Sequence, residues 1–125
     1  MKIPDQFRSQ VIEQLKLLSE DQSNINILLS SIALARLSEC KENHTDIVSG
    51  NFPNIFRKLI SSDYLRIIDQ GMMLALNLLH LGTDETRIIV KEGVPSYVVV
   101  GLLQNRDKRI ALTAQLLDQW LLAIS

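Results

Sequence analysis

The sequence predicts an all-α protein, arranged as a short α-solenoid of about two and a half three-helix units. Three observations carry that expectation. Apolar residues recur at helical spacing along nearly the whole chain. The single strand-like run, Tyr97-Val98-Val99-Val100, has no second run to pair with, so it is placed in a helix. The chain also repeats itself with a period near 42 residues. Leu17-Leu18-Ser19-Glu20-Asp21 recurs as Leu59-Ile60-Ser61-Ser62-Asp63, 42 residues on from Leu17 to Leu59. Leu102-Leu103-Gln104-Asn105-Arg106 follows 43 residues after that, from Leu59 to Leu102. Ala33-Leu34-Ala35-Arg36-Leu37 returns as Ala75-Leu76-Asn77-Leu78-Leu79, and Ile47 to Pro53 returns as Ile89 to Pro95.

Each element follows in order. A first helix runs from about Asp5 to Ser19 on a stripe of Val11, Leu15 and Leu18. Asp21 to Ser23 interrupt it and cap a second, Ile25 to Leu37. Its apolar set is Ile25, Leu28, Leu29, Ile32, Ala33 and Leu37, and its polar side holds Asn24, Ser31, Ser38 and Glu39. After a break at Lys41 to Thr45, short helices cover Thr45–Ser49 and Phe52–Ser61, separated by Gly50 and Pro53. Ser62 and Asp63 cap a long helix to about Leu81, where Gly82 suits a stop. Thr83 and Asp84 open a short helix through Glu92, Gly93-Val94-Pro95 breaks it, and Ser96–Gln104 follows. Asn105 or Asp107 caps the last helix, Lys108 to Ala123.

Composition bounds the function. A chain of 125 residues suits one domain, and 46% apolar residues with only 5 Gly and 3 Pro exclude collagen-like or disordered classes. Thirteen basic against fourteen acidic residues leave a net charge of −1, too little to draw in nucleic acid or an anionic membrane by a global field. The most apolar stretch, Met72 to Leu81, contains Asn77 and His80 and falls far short of the roughly 20 residues that span a bilayer. Met1-Lys2 leads into Pro4, Asp5, Gln6 and Arg8 instead of an apolar signal run. With Cys40 as the sole cysteine, no intramolecular disulfide is possible, and an intracellular location, cytoplasm or nucleus, is expected.

The repeated residues resemble the armadillo repeat family. Gly93-Val94-Pro95 is similar to the turn between the first two helices of that family's unit, Leu102-Leu103 to the pair before the third, and Ala75-Leu76-Asn77-Leu78 to the run on the third. The resemblance implies a right-handed solenoid in a single domain over 1–125, part of a larger protein, with units at about 1–42, 43–82 and 83–125. It also implies that the third helices line a concave binding surface. Ala35 and Trp120 stand where Asn77 does in the other units, so the asparagine ladder of armadillo cargo binders is not repeated. A smaller part, Gly93-Val94-Pro95 through Ala114-Gln115-Leu116-Leu117-Asp118-Gln119-Trp120, is similar to the leucine–tryptophan helical bundle of transcription elongation factors, without its basic residues after the tryptophan. That likeness implies the alternative function, a nucleic-acid- or transcription-associated helical adaptor.

No enzymatic chemistry is expected, and no cofactor or metal. Cys40 and His44 share a helical spacing, but no third or fourth ligand lies near them in sequence. Asp63, Asp84 and Asp107 sit at helix starts, where carboxylates cap N–H groups. Arg57-Lys58, and Lys91 with Arg106, Lys108 and Arg109, read as solvated faces diluted by Glu92 and Asp107, so nucleic acid is not expected as a partner. The candidate site is a stripe on the third helices. Arg66, Gln70, Met73, Asn77 and His80 fall at i+3 and i+4 steps, and one period on stand Arg109, Thr113, Leu116 and Trp120. Asn77 offers donors and an acceptor to a partner backbone, and Trp120 an apolar anchor. The function expected is a scaffold module that binds a partner helix or peptide along this stripe. Self-association is a version of it, since Ile110 to Ile124 is too apolar for a free end.

Overall fold

The computed structural model describes residues 4–124, and among them every regular element is helical. They are α1 (Asp5–Ser19), α2 (Asn24–Leu37), a 3-10 turn (Lys41–Asn43), α3 (His44–Val48), α4 (Phe52–Ile60), α5 (Leu65–Leu81), α6 (Asp84–Gly93), α7 (Ser96–Leu103) and α8 (Lys108–Ala123). The all-α class therefore holds, and the Tyr97–Val100 run lies inside α7. Ser23 caps α2 by accepting from Asn26 N (3.4 Å), Thr83 caps α6 through Thr86 N (3.3 Å), and Asp107 caps α8 through Arg109 N (2.9 Å) and Ile110 N (3.2 Å). At α5 the expected Asp63 cap is replaced by Tyr64, which makes no side-chain cap bond; Ser62 Oγ accepts from Tyr64 N at 3.1 Å instead. Asn26 Nδ2 bonds Asp21 at 2.7 Å, and with the Gln22 N–H it holds that exposed carboxyl below its ordinary value.

Two turns depend on glycine. Gly50, between α3 and α4, has φ of 60°, the left-handed region that other residues enter at a cost. Gly82 has extended backbone, so its role is not a left-handed cap; a Cβ there would run into Leu78 O.

The long helices lie side by side in chain order: α2 packs on α5, and α5 packs on α8. Behind them α4 packs on α5, α7 on α8, and α6 fills in against α3, α4 and α5. One continuous core links them, centred on Phe52, Phe56, Leu59, Met72, Leu74 and Leu78. Gly71 lets α5 approach α4 closely, because a Cβ there would lie 2.9 Å from Leu59 Cβ and 3.2 Å from Ile60 Cγ2. Gly71→Ala gains about 1 kcal/mol in helix propensity but forces a packed pair apart at about 1–3 kcal/mol. A net loss is expected in urea unfolding, larger for Gly71→Val; a stabilised alanine variant would show that the two helices separate freely.

The faces of α1 and α2 turn out differently from the sequence reading. α1 buries Ile12, Lys16 and Ser19, while Val11 and Leu18 are exposed. α2 buries Ile27, Ser30, Ser31, Leu34, Ala35 and Leu37, while Ile25 and Leu29 are exposed. The serines tolerate burial because they bond locally: Ser30 Oγ donates to Ile27 O (3.1 Å) and meets Ser19 Oγ at 2.8 Å, and Ser31 Oγ donates to Leu28 O (2.8 Å). Small side chains also let α1, α2 and α5 approach closely. The predicted stripes thus face the core only in part: Leu37 is buried and Leu15 and Leu28 pack against the core, while Val11, Leu18, Ile25 and Leu29 point away from it.

Candidate interaction surface

The packing of α5 on α8 brings the two halves of the predicted stripe together. Arg109 on α8 reaches Asp69 on α5 at 3.0 Å, an exposed guanidinium on a mostly covered carboxylate. One helix length away, His80 on α5 meets Trp120 on α8 edge to face, centroids 5.9 Å apart at 72°. The Trp120 ring also carries the Arg87 guanidinium 5.6 Å from its centroid. Arg87 is fixed there by donating to Leu79 O at 2.7 Å, which satisfies a carbonyl at the end of α5, and to Asp84 at 3.0 Å. Trp120 is consequently half-buried, a held ring with one side to solvent. Met73 and Leu116 stand exposed between these two clusters, and Gln70 and Thr113 are half-buried beside them. Thr113 Oγ1 donates to its own helix at Arg109 O, 2.9 Å.

Asn77 has a different use. Its Nδ2 donates to Ala35 O and to Ser38 Oγ, both at 3.0 Å, so its donors tie α5 to the end of α2 and are not offered to a partner's backbone. Arg66, at the start of α5, lines a cleft with Asp69 and Arg109 and also borders a groove of about 510 Å³. Ile25 and Leu28 of α2 with Tyr64, Leu65 and Ile67 make that groove apolar, and Asn24, Asp63 and Arg66 edge it with polar groups. The sequence reading missed Tyr64 and Leu65. The available signal was two large apolar residues placed directly after a Ser-Ser-Asp break, ahead of the helix's buried face.

Among the described residues no group of three or more His, Cys, Asp or Glu could hold a metal ion. His44 is buried, with Nε2 against Ser38 O at 2.6 Å. Several of the basic residues bond inside the chain: Arg57 to Pro53 O and Asn54, Lys58 to Glu20 O and Asp21 O, Lys91 to Ile124 O. Among the described residues no helix is long and apolar enough to cross a membrane. No family model and no curated protein matches this sequence.

Proposed function

We propose that this chain is a non-enzymatic protein-interaction module, an armadillo-like α-solenoid that binds a partner helix or peptide across α5 and α8. The observation that carries the reading is the convergence of Met73, Leu116 and Trp120 on adjacent helices, flanked by His80 and the Asp69–Arg109 pair. Apolar anchors ringed by polar groups make up the anatomy of a protein-binding patch. The solenoid reading draws support from contacts that span one repeat. Asn77 bonds Ala35, the residue one period earlier, and a Cβ added at Gly93 would lie 3.4 Å from Pro53, so corresponding turns of successive units pack together.

Selection of displayed helical peptides against the chain tests this. Peptides enriched on the wild type are expected to lose roughly tenfold or more in affinity for a Met73→Asp/Leu116→Asp variant, given about 2 kcal/mol for a central anchor. Both positions are exposed, so the variant is expected to fold. Peptides that bind both proteins equally would place the site elsewhere.

A further inference from the structure

The seam between α5 and α8 carries a different charge at each end. Two contacts show how the helices lie, Asp69 with Arg109 and His80 with Trp120. Both pairs join residues 40 positions apart, so the helices run parallel and in step from one pair to the other. The eleven residue steps between the pairs span about 16 Å of helix. Met73, Leu116 and the open side of the Trp120 ring supply the apolar part of that length.

At the first end, Arg66, Asp69, Asp107 and Arg109 line one cleft of about 270 Å³ with Leu65 and Ile110. Its carboxylates are turned inward. Asp69 is 14% exposed, and Asp107 accepts the Arg109 and Ile110 N–H groups that begin α8. Its guanidiniums are turned outward: Arg109 is 78% exposed even while it reaches Asp69, and Arg66 is exposed as well. Arg106 and Lys108, also exposed, flank Asp107 in the chain. Asp63 is an exposed carboxylate close by in sequence, but it borders the neighbouring apolar groove and not this cleft. The second end shows the opposite sign. Asp84 there is 93% exposed, whereas its partner Arg87 is 29% exposed and lies over the Trp120 ring.

We infer that the partner is an acidic amphipathic helix, which lays apolar side chains on Met73, Leu116 and Trp120 and an acidic turn against Arg66 and Arg109. This rests on the protein-interaction reading of the same stripe and adds the partner's charge and direction. Charge complementarity selects the occupant. Guanidiniums take carboxylates in paired hydrogen bonds, and the acids of this cleft are already covered or engaged. A helix of about three turns matches the length between the two contacts. The outward Asp84 repels an acidic turn at the far end, so the seam also sets which way the partner runs. A nucleic acid could use the same cations, but it would leave the apolar stretch uncovered and meet Asp84 beyond it.

A displayed library of helical peptides, with a varied apolar face and one end turn of Glu, Lys or Gln, tests this. On the wild type, Glu-ended peptides are expected to bind roughly tenfold or more tightly than Lys-ended peptides of the same face, a gap that narrows as salt rises. Arg66→Glu/Arg109→Glu is expected to reverse the order, and Arg66→Gln/Arg109→Gln to level it. All four side-chain changes are at exposed positions, and circular dichroism checks that each variant is folded. Peptides that need Met73 and Leu116 but bind equally with Glu or Lys ends would overturn the acidic partner and leave the interaction reading standing. Peptides indifferent to Met73→Asp/Leu116→Asp, or a library from which nothing binds, would overturn both. Single-stranded DNA that displaces the Glu-ended peptides from the wild type and is itself lost with Arg66→Gln/Arg109→Gln would replace the helix by a nucleic acid.

Discussion

Phe56→Ala is expected to lower the unfolding free energy by about 3–5 kcal/mol, close to the whole stability of a marginal domain. Phe56 is fully buried on α4, stacked on Phe52 with centroids 5.7 Å apart and planes within 6°. Leu59, Met72 and Leu78, each fully buried, fill the same core. Deleting the ring removes its transfer energy and leaves a void that these side chains cannot close without moving both long and short helices. In thermal unfolding the midpoint is expected to fall by roughly 10–20 °C. Leu29→Ala serves as the comparison, at an apolar position equally prominent in the sequence. Because Leu29 is exposed, its change is expected within about 0.5 kcal/mol. Equal losses at the two sites would mean that α2 buries the face the sequence suggests.

That pair of residues marks how far the sequence could be read. Helix positions were legible because caps and breaks act locally: Ser23, Thr83 and Asp107 need only their own next turn, and α8 begins and ends where its pattern says. The repeat period aligns Trp120 with Asn77, yet the Trp120 ring meets His80, about one turn further along α5. Which face of α2 lies inward was not legible. Periodicity reports an apolar stripe but not what covers it, and in a row of stacked helices two opposite faces need cover. On α2 the inward face is made of Ser30, Ser31, Ala35 and Ser38 beside Ile27 and Leu34, small and locally bonded side chains that hydropathy alone scores as surface. Asn77 escaped for a related reason. Its type suits a partner's backbone or its own chain's equally, and only the approach of Ala35 O and Ser38 Oγ decides.

Lys16→Met is expected to cost about 1.5–3 kcal/mol, although the substitution makes the chain more apolar. Lys16 is buried on α1, and its ammonium donates to Ser49 O (2.8 Å), Asp46 O (3.2 Å) and Ser49 Oγ (3.3 Å). These acceptors end α3, five residues long and followed by the left-handed Gly50, so the lysine ties the first helix to the carbonyl end of a helix too short to hold itself. Its ion pair with Glu13, at 3.4 Å and on an exposed carboxylate, adds little. Methionine keeps the packing of the stem and removes the donor, which leaves the Ser49 carbonyl to find water at the surface of an otherwise covered site. Lys16→Ala loses the stem as well and is expected to cost about 1–2 kcal/mol more than methionine. The order alanine below methionine below wild type, read from urea midpoints, separates the two contributions. The loss reaches further than α1, because α1 packs on α2. Hydrogen exchange is expected to speed up in α1 and α3 before α5 or α8. If methionine matched the wild type, the lysine would be a buried spectator, and the α1–α3 junction would rest on packing alone.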